Sequence, residues 1–310
     1  MFAGIRSHWT HASAVFVVVG LLGIVGASAA VSSSGAKEYG YVTTQITLPA
    51  TNTQVDAYAR DIDRDGRRDN GLGQIFATLS QQGLDFQTDL DAAVERGDLL
   101  MLHSLRTRSF KKTTSATWQV LFAEPTANPD FSGFGSFTVS SAASRSSKLT
   151  ARIAKHSVKT ATGTLPLRLD LMGLSLDLTL KKGRIFATCS PSSCSDGRIN
   201  GTITVEEVDT YLLPELSEHF TALVQRDCTM PGQPGGGCAD GTTGKTIFNL
   251  FDQNDNLVIT QLEIQDNSLA PLVPDLDLAK ANGKPGRDGV EDAFSVGIGF
   301  AGVRAQLVRP

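Results

Sequence analysis

The sequence predicts an α+β protein built on an antiparallel β-sheet or sandwich core, with several short helices and one longer, Pro-kinked helix. Segments in which apolar and polar residues alternate outnumber segments with helical periodicity. These alternating segments also follow one another through short turns, as antiparallel strands do. The chain has 310 residues, of which 41% are hydrophobic and 19% charged, an ordinary globular composition.

The first 29 residues have the features of a secretory signal peptide. Arg6 precedes an apolar stretch over residues 12–25, and Ala27, Ser28 and Ala29 form a small-residue cleavage pattern. An uncleaved membrane anchor is the alternative, because the apolar stretch can be extended to about twenty residues. We expect cleavage near Ala29, a flexible leader over residues 30–40, a single α+β domain over residues 41–310, and a secreted or periplasmic location.

Four cysteines follow the predicted signal peptide, an even number that suggests two disulfide bonds in an exported chain. The local pairs Cys189–Cys194 and Cys228–Cys238 are favoured because each would close a turn-rich loop at its base. A zinc site is the alternative, but the spacing lacks the paired knuckles of tetrahedral zinc ligation.

Two short helices are predicted in the first third of the chain. Four apolar residues recur at helical spacing after Asn70, and Gly83 can end that helix. These residues are Leu72, Ile75, Phe76 and Leu79. A second helix is expected to begin at Thr88, paired with Asp91 as its start signal, and to end at Gly97.

The strongest strand signal is a pair of leucine rows. Leucines alternate with other residues over 165–171 and again over 174–180, with Met172-Gly173 between them. This pattern predicts an antiparallel hairpin with one apolar face. A further turn is expected at Lys182-Gly183. Such leucine rows could also line a lipid-carrying barrel or face a bilayer, and we keep this as an alternative.

The second half of the chain combines a helix and a final strand. Thr204 and Glu207 form a capping box for a helix that Pro214 should kink or divide. The glycine-rich, alternating tail over residues 294–308 predicts a strand that returns to the sheet.

The segment 252–263 has the ligand spacing of an EF-hand calcium loop. Counted from Asp252, oxygen-bearing side chains occupy positions 1, 3, 5, 9 and 12, and Val258 can offer its carbonyl at position 7. The side-chain ligands are Asp252, Asn254, Asn256, Thr260 and Glu263. This segment resembles an EF-hand loop over about thirteen residues.

The resemblance fails at position 6, where Leu257 replaces the glycine of the sharp turn. A leucine at positive φ costs about 1 to 2 kcal/mol, so the loop is expected to be strained or differently shaped. With only two formal charges among the ligands, we expect weak calcium binding, with a dissociation constant on the order of 0.1 to 1 mM. A polar turn before a helix is the alternative.

A second acidic segment, DIDRDGRRDN, precedes the first helix. Asp61, Asp63, Asp65 and Asp69 surround Gly66, and four carboxylates this close would repel one another without a cation. The spacing resembles the aspartate-rich loops of dockerins and thrombospondin repeats, with Arg67 placed to give its carbonyl. In the alternative interpretation the carboxylates pair with neighbouring arginines on a solvated turn.

Other activities receive little support from the sequence. The formal charge of -4 argues against nucleic-acid binding. The segment ADGTTGKT fits a relaxed phosphate-loop spelling, but no apolar strand precedes it, so no nucleotide is expected. His103, His156 and His219 lack any motif spacing to a nucleophile, so no catalytic residue is assigned.

Blocks spread over most of the chain look like those of uncharacterised exported proteins of myxobacteria and related bacteria. They are DGRRDNGLG, AAVERGDLLML, GRINGTITVEEV, FDQNDNLVITQLEIQDNSL and DGVEDAFSVGIGF. The resemblance implies an extracytoplasmic location and calcium binding, and it supplies no activity.

The expected function is therefore that of an exported, calcium-binding and calcium-stabilised binding or structural module without evident catalytic activity. Its protein or ligand partner is left open. The alternatives are a secreted hydrolase with a site built from loops and a β protein that binds lipid or a small ligand.

Overall fold

Ten β-strands dominate the computed structural model, which describes residues 35–141, 148–232, 235–278 and 289–310. The strands are β1 (Lys37–Thr47), β2 (Met101–Thr107), β3 (Lys112–Phe122), β4 (Ser136–Thr138), β5 (Lys148–Ala154), β6 (Ser157–Thr160), β7 (Gly163–Leu171), β8 (Leu174–Cys189), β9 (Ser193–Thr204) and β10 (Ala293–Val308). With the helices described below they confirm the α+β class. The predicted signal peptide lies outside the described residues.

The strands form a mixed sheet whose path closes on itself. Neighbouring strands follow the order β1-β2-β3-β5-β6-β8-β9-β10-β4, and β7 pairs with β8. All pairs are antiparallel except β10 with β4. Strand β1 also pairs with β10, with Tyr41 opposite Arg304, so the first and last strands close the path. The predicted final strand is thus confirmed, and one parallel pair is added to the expected antiparallel pattern.

Strand β1 begins at Lys37, inside the stretch predicted to be a flexible leader. Residues 37–42 pair with β2, where Lys37 lies opposite Thr107 and Val42 opposite Leu102. The backbone hydrogen bonds of this pairing order a segment whose side chains show little periodicity.

The leucine hairpin is confirmed, but the turn predicted after it is wrong. Leu165 lies opposite Leu180 and Leu171 opposite Leu174, with Met172 and Gly173 at positive φ in the turn. Strand β8 then continues through Lys182-Gly183 to Cys189 because it pairs with both β6 and β9 beyond that point. Lys182, at φ +48°, marks only a shift in the pairing register with β9.

Three helices precede β2. They are α1 (Asn52–Tyr58), α2 (Gly71–Gln81) and α3 (Phe86–Arg96). The helix predicted after Asn70 is confirmed as α2, and Asn70 caps it by accepting from the Gly73 amide. The predicted start of α3 is wrong by three residues, since Asp85 is the cap that accepts from the Thr88 amide. Gly97 ends α3 in the left-handed conformation at φ +80°.

A helical segment divided by a π-turn follows β9. It consists of α4 (Val205–Glu207), a π-helical segment (Val208–Leu212) and α5 (Leu213–Asp227). Thr204 and Glu207 form the predicted capping box. Pro214 stands in the first turn of α5, where its missing N–H is tolerated, so the predicted division at this proline is confirmed.

Two short helices complete the described fold, α6 (Thr243–Phe251) and α7 (Gln261–Gln265). Both predicted disulfide bonds are present, Cys189–Cys194 and Cys228–Cys238. Disulfides persist in oxidising compartments, so they support an extracytoplasmic environment. Within the described ranges, every helix is too short or too polar to cross a lipid bilayer.

Candidate metal sites

The loop over residues 61–69 is held at its base by backbone hydrogen bonds. Arg60 and Asp69 exchange both backbone N–H···O bonds, at 3.2 and 2.9 Å, and so bring the two ends of the loop together. Asn70 follows at once as the cap of α2, and its Nδ2 donates to the carbonyls of Val55 and Gly297. These contacts fix the loop between α1, α2 and strand β10.

Three carboxylates converge within this loop. One oxygen from each of Asp61, Asp63 and Asp65 lies within 4.8 Å of the others. Gly66 makes the turn at φ +90° and donates its amide to Asp61 Oδ2 at 3.3 Å. The second oxygen, Asp61 Oδ1, is buried and accepts no hydrogen bond. A buried charged oxygen without a donor is costly, whereas a hard cation among the three carboxylates would satisfy it.

Asp69 lies at the base of the loop, opposite Arg60, and is buried. Its Oδ2 accepts from the Ile62 amide at 2.6 Å. Burial and, after it, the negative charges of Asp63, Asp275 and Asp65 raise the pKa of Asp69 from its usual 3.8 to about 6, against the lowering effect of the Ile62 amide. The metal-free fold therefore protonates this fourth predicted ligand more readily than it would a solvent-exposed aspartate.

The arginines of the loop contribute less neutralising charge than the solvated-turn interpretation requires. Arg67 Nε lies 3.9 Å from Asp65 Oδ2, but the Arg67 side chain is 89% exposed. Arg68 donates to the Ala59 carbonyl, and Arg60 donates to the Lys182 carbonyl. The ion pair at Arg67 is too solvated to offset much repulsion, and Arg68 hydrogen-bonds to backbone. Arg60 also hydrogen-bonds to backbone, but its charge still attracts Asp61 and Asp69.

Asp275 is a carboxylate beside this site that no sequence spacing connects with the loop. Its Oδ2 accepts from the amide of Gly71, the first residue of α2, at 3.0 Å. Asp275 Oδ1 accepts from the amide of Ser295 at 2.6 Å, and Oδ2 also accepts from the Ser295 hydroxyl group. Asp275 therefore ties the start of α2 to strand β10, next to the acidic loop. Its position follows from tertiary packing alone.

The second predicted loop joins α6 to α7, as an EF-hand loop joins its two helices. Asp252 Oδ1 accepts from the amides of Asn254 and Asn256, and Oδ2 accepts from the Leu257 amide at 2.8 Å. Asn256 Oδ1 accepts from the Val258 amide at 2.7 Å. The side chains at positions 1 and 5 are therefore engaged in hydrogen bonds that shape the loop.

Leu257 adopts the left-handed conformation, with φ +64°, which is unfavourable for a leucine. The side chain is buried, and this burial offsets the conformational cost. Ile259 anchors the loop to α5, since it is buried and its carbonyl accepts from Ser217 Oγ and Thr221 Oγ1 of that helix.

Glu263 closes this loop by hydrogen bonding. Its Oε2 accepts from the amide and hydroxyl group of Thr260, both at 2.8 Å, in a capping box for α7. Its Oε1 accepts from the Gln253 amide and from Asn254 Nδ2, both at 3.1 Å. A cation in this loop would compete with these donors for both oxygens of Glu263. The loop over residues 61–69, with its clustered carboxylates, is the better prepared of the two.

The histidines are engaged elsewhere. His103 is fully buried, where its Nδ1 accepts from Trp118 Nε1 at 3.1 Å and its Nε2 lies 3.0 Å from Thr43 Oγ1. His156 Nδ1 lies 3.0 Å from the Cys189 carbonyl, and His219 Nε2 lies 3.0 Å from the Met172 carbonyl. None of these hydrogen bonds pairs a histidine with serine or a carboxylate, the arrangement that a hydrolytic site would use.

Comparison with known proteins adds no assignment to this geometry. No family model, curated protein or solved structure matches the chain.

Proposed function

We propose that this protein is exported and binds calcium, and that the ion stabilises a non-catalytic binding or structural module. The observation that carries the proposal is the convergence of Asp61, Asp63 and Asp65 within 4.8 Å, with a buried oxygen of Asp61 that accepts no hydrogen bond. Calcium prefers carboxylate and carbonyl oxygens, and a short aspartate-rich loop supplies both.

The loop's position explains why the ion would act on stability. The loop joins Arg60, after α1, to Asn70, the cap of α2, and Asn70 also contacts β10. A cation that draws the carboxylates together would hold these three elements in place. At a free calcium concentration 100 times the dissociation constant, one such site adds about 2.7 kcal/mol to the free energy of unfolding.

The loop over residues 252–263 is proposed as a second and weaker site. Glu263 already serves as the cap of α7, so calcium must replace hydrogen bonds rather than fill a space between repelling charges. The extracytoplasmic location is supported by the two disulfide bonds. The predicted signal peptide and the resemblance to exported bacterial proteins are consistent with the same location.

The test is thermal unfolding of the mature chain, from residue 30, in calcium and in EDTA. Calcium should raise the melting temperature of the unaltered chain, and Asp61→Asn with Asp63→Asn should abolish most of that rise. Asp56→Asn is the matched control, because Asp56 is exposed on the neighbouring α1. Native mass spectrometry should count the bound ions and assign the weaker one through Asp252→Asn. An unchanged melting temperature in EDTA would refute the proposal.

A further inference from the structure

An apolar cavity of about 70 Å³ lies between the leucine hairpin and the helices that face it. All of the residues that line it are apolar. Leu169, Leu171, Leu176 and Leu178 come from the hairpin, and Leu216 and Phe220 come from α5. Protein interiors are normally packed with few voids larger than a water molecule, so a cavity of this size is unusual. Water is a poor occupant because the lining offers it no hydrogen-bond partner.

A groove of about 580 Å³, lined by both polar and apolar residues, adjoins this cavity. Leu176, Leu178 and Leu212 line both spaces, so the cavity and the groove meet at these side chains. The groove itself carries hydroxyl groups and carboxylates, and every charged residue that lines it is acidic. The acidic residues are Asp177, Glu207 and Glu215.

The carboxylates of the groove differ in how far they are engaged. Asp177 receives two hydrogen bonds from Arg168, at 2.6 and 2.9 Å. Glu207 serves as part of the capping box at Thr204, and its Oε1 lies 3.9 Å from Lys181 Nζ. Glu215 is exposed in the first turn of α5 and has no hydrogen bond or ion pair within the described part of the chain. Glu215 is therefore the carboxylate best placed to receive a cation from solvent.

The π-helical segment 208–212 forms the border between the two spaces. It places Leu212 in the lining that both spaces share and Tyr211 in the groove, where this residue is 65% exposed. Single π-turns inside helices are frequent at functional sites. This one presents an apolar residue to the cavity and an aromatic residue to the groove.

We propose that this site binds a small amphipathic amine, with its unbranched alkyl chain in the cavity and its ammonium group in the groove beside Glu215 and Tyr211. The cavity has about half the volume of an engineered 150 Å³ cavity that accepts benzene, so a chain end fits better than a ring. The exposed carboxylate of Glu215 and the exposed aromatic face of Tyr211 select the cation. This inference does not depend on calcium binding.

The first experiment is a calorimetric titration of the mature chain with primary alkylammonium ions from ethyl to octyl. Affinity should rise about fourfold for each methylene until the chain fills the cavity, and then level off. Carboxylates of equal chain length should bind about tenfold more weakly. Binding that does not depend on chain length, equal binding of the carboxylates, or no binding at millimolar concentrations would each overturn the proposal.

Variants separate the two halves of the site. Ala270 lines the cavity, so Ala270→Leu should fill it and remove the dependence on chain length. An unchanged or higher melting temperature would verify that this variant folds. Glu215→Gln should weaken ammonium binding about threefold. Glu218→Gln, an equivalent change at an exposed residue of the same helix outside the groove, should have no effect.

If Ala270→Leu does not fold, Glu215→Gln still decides the question. An ammonium affinity equal to that of Glu218→Gln would reject the assigned orientation.

Discussion

The pKa of Asp69 predicts that calcium binding weakens in mild acid. Burial and the charges of nearby carboxylates together raise this pKa from 3.8 to about 6. A cation among Asp61, Asp63 and Asp65 would oppose these charges and lower the pKa, so calcium binding should release a proton from Asp69. Protons and calcium then compete for the same loop.

The size of the effect follows from the pKa. With a pKa of about 6, Asp69 is almost fully ionised at pH 7.5 and about ten times more often protonated than ionised at pH 5. If calcium requires the ionised form, its affinity should fall by about tenfold over this interval, or about 1.4 kcal/mol. The tenfold figure is an upper limit for this single proton.

The metal-free protein should respond to pH in the opposite direction. Because the pKa of Asp69 is higher in the folded chain than in the unfolded chain, the fold gains a proton first as the pH falls. The stability that this proton contributes is present below about pH 4 and is lost as the pH rises through about 6. Calcium should therefore stabilise the protein most above about pH 6, where Asp69 is ionised and the metal-free fold is less stable.

The assay is calcium titration by calorimetry at pH 7.5 and pH 5, in two buffers of different ionisation enthalpy to count released protons. Asp69→Asn should bind calcium with an affinity that no longer changes through this proton, and it should release fewer protons. Equal pH dependence in the variant and the unaltered chain would refute the assignment to Asp69. Asp56→Asn serves again as the control for loss of one acidic charge.

Three further predictions concern the fold. Acidification from pH 7 to pH 4 should lower the free energy of unfolding by about 3 kcal/mol through His103. Burial lowers the pKa of His103 to about 3 in the folded chain, so the unfolded chain takes up this proton first as the pH falls below about 6.5. His103→Asn should lack this part of the dependence in urea unfolding, and an unchanged slope would contradict it. Replacing Cys228 and Cys238 by alanine should lower the free energy of unfolding by about 3 kcal/mol in the same assay, because the disulfide bond joins residues ten apart in sequence and restricts the unfolded chain. Leu167→Ala should lower the free energy of unfolding by about 3 to 5 kcal/mol, because Leu167 is fully buried. The loss should be clearly smaller for Leu178→Ala, because Leu178 is half-buried, and equal losses would argue against the hairpin packing.

Local features of this fold could be predicted because the residues that determine them are neighbours in sequence. The leucine hairpin needs only period-two alternation and a turn at Met172-Gly173. The capping box at Thr204 needs only a glutamate three residues later. The turn predicted at Lys182-Gly183 is wrong because that prediction used only the local glycine signal. Pairing with the distant strands β6 and β9 makes the strand continue there.

Contacts between distant segments could not be predicted from spacing. The pairing of β1 with β10 joins Tyr41 to Arg304, and no periodicity in either strand selects the other as its partner. The hydrogen bond from Trp118 to His103 also forms only once β2 and β3 align. For the candidate site, the sequence supplied the acidic loop, but the burial that raises the pKa of Asp69 and the nearby charge of Asp275 depend on the tertiary fold.

The position of Asp275 gives the acidic loop a structural context that its own residues do not provide. A carboxylate at the first turn of a helix is stabilised by the free amides and the helix dipole, and Asp275 accepts the Gly71 amide at the start of α2. The same carboxylate accepts from Ser295 of β10, while Asn70 reaches Gly297 of that strand. Helix α2 is thus joined to the closing strand by hydrogen bonds that need no metal. Calcium in the adjoining loop would add stability to this junction rather than create it, so the metal-free protein should keep its fold and unfold at a lower temperature.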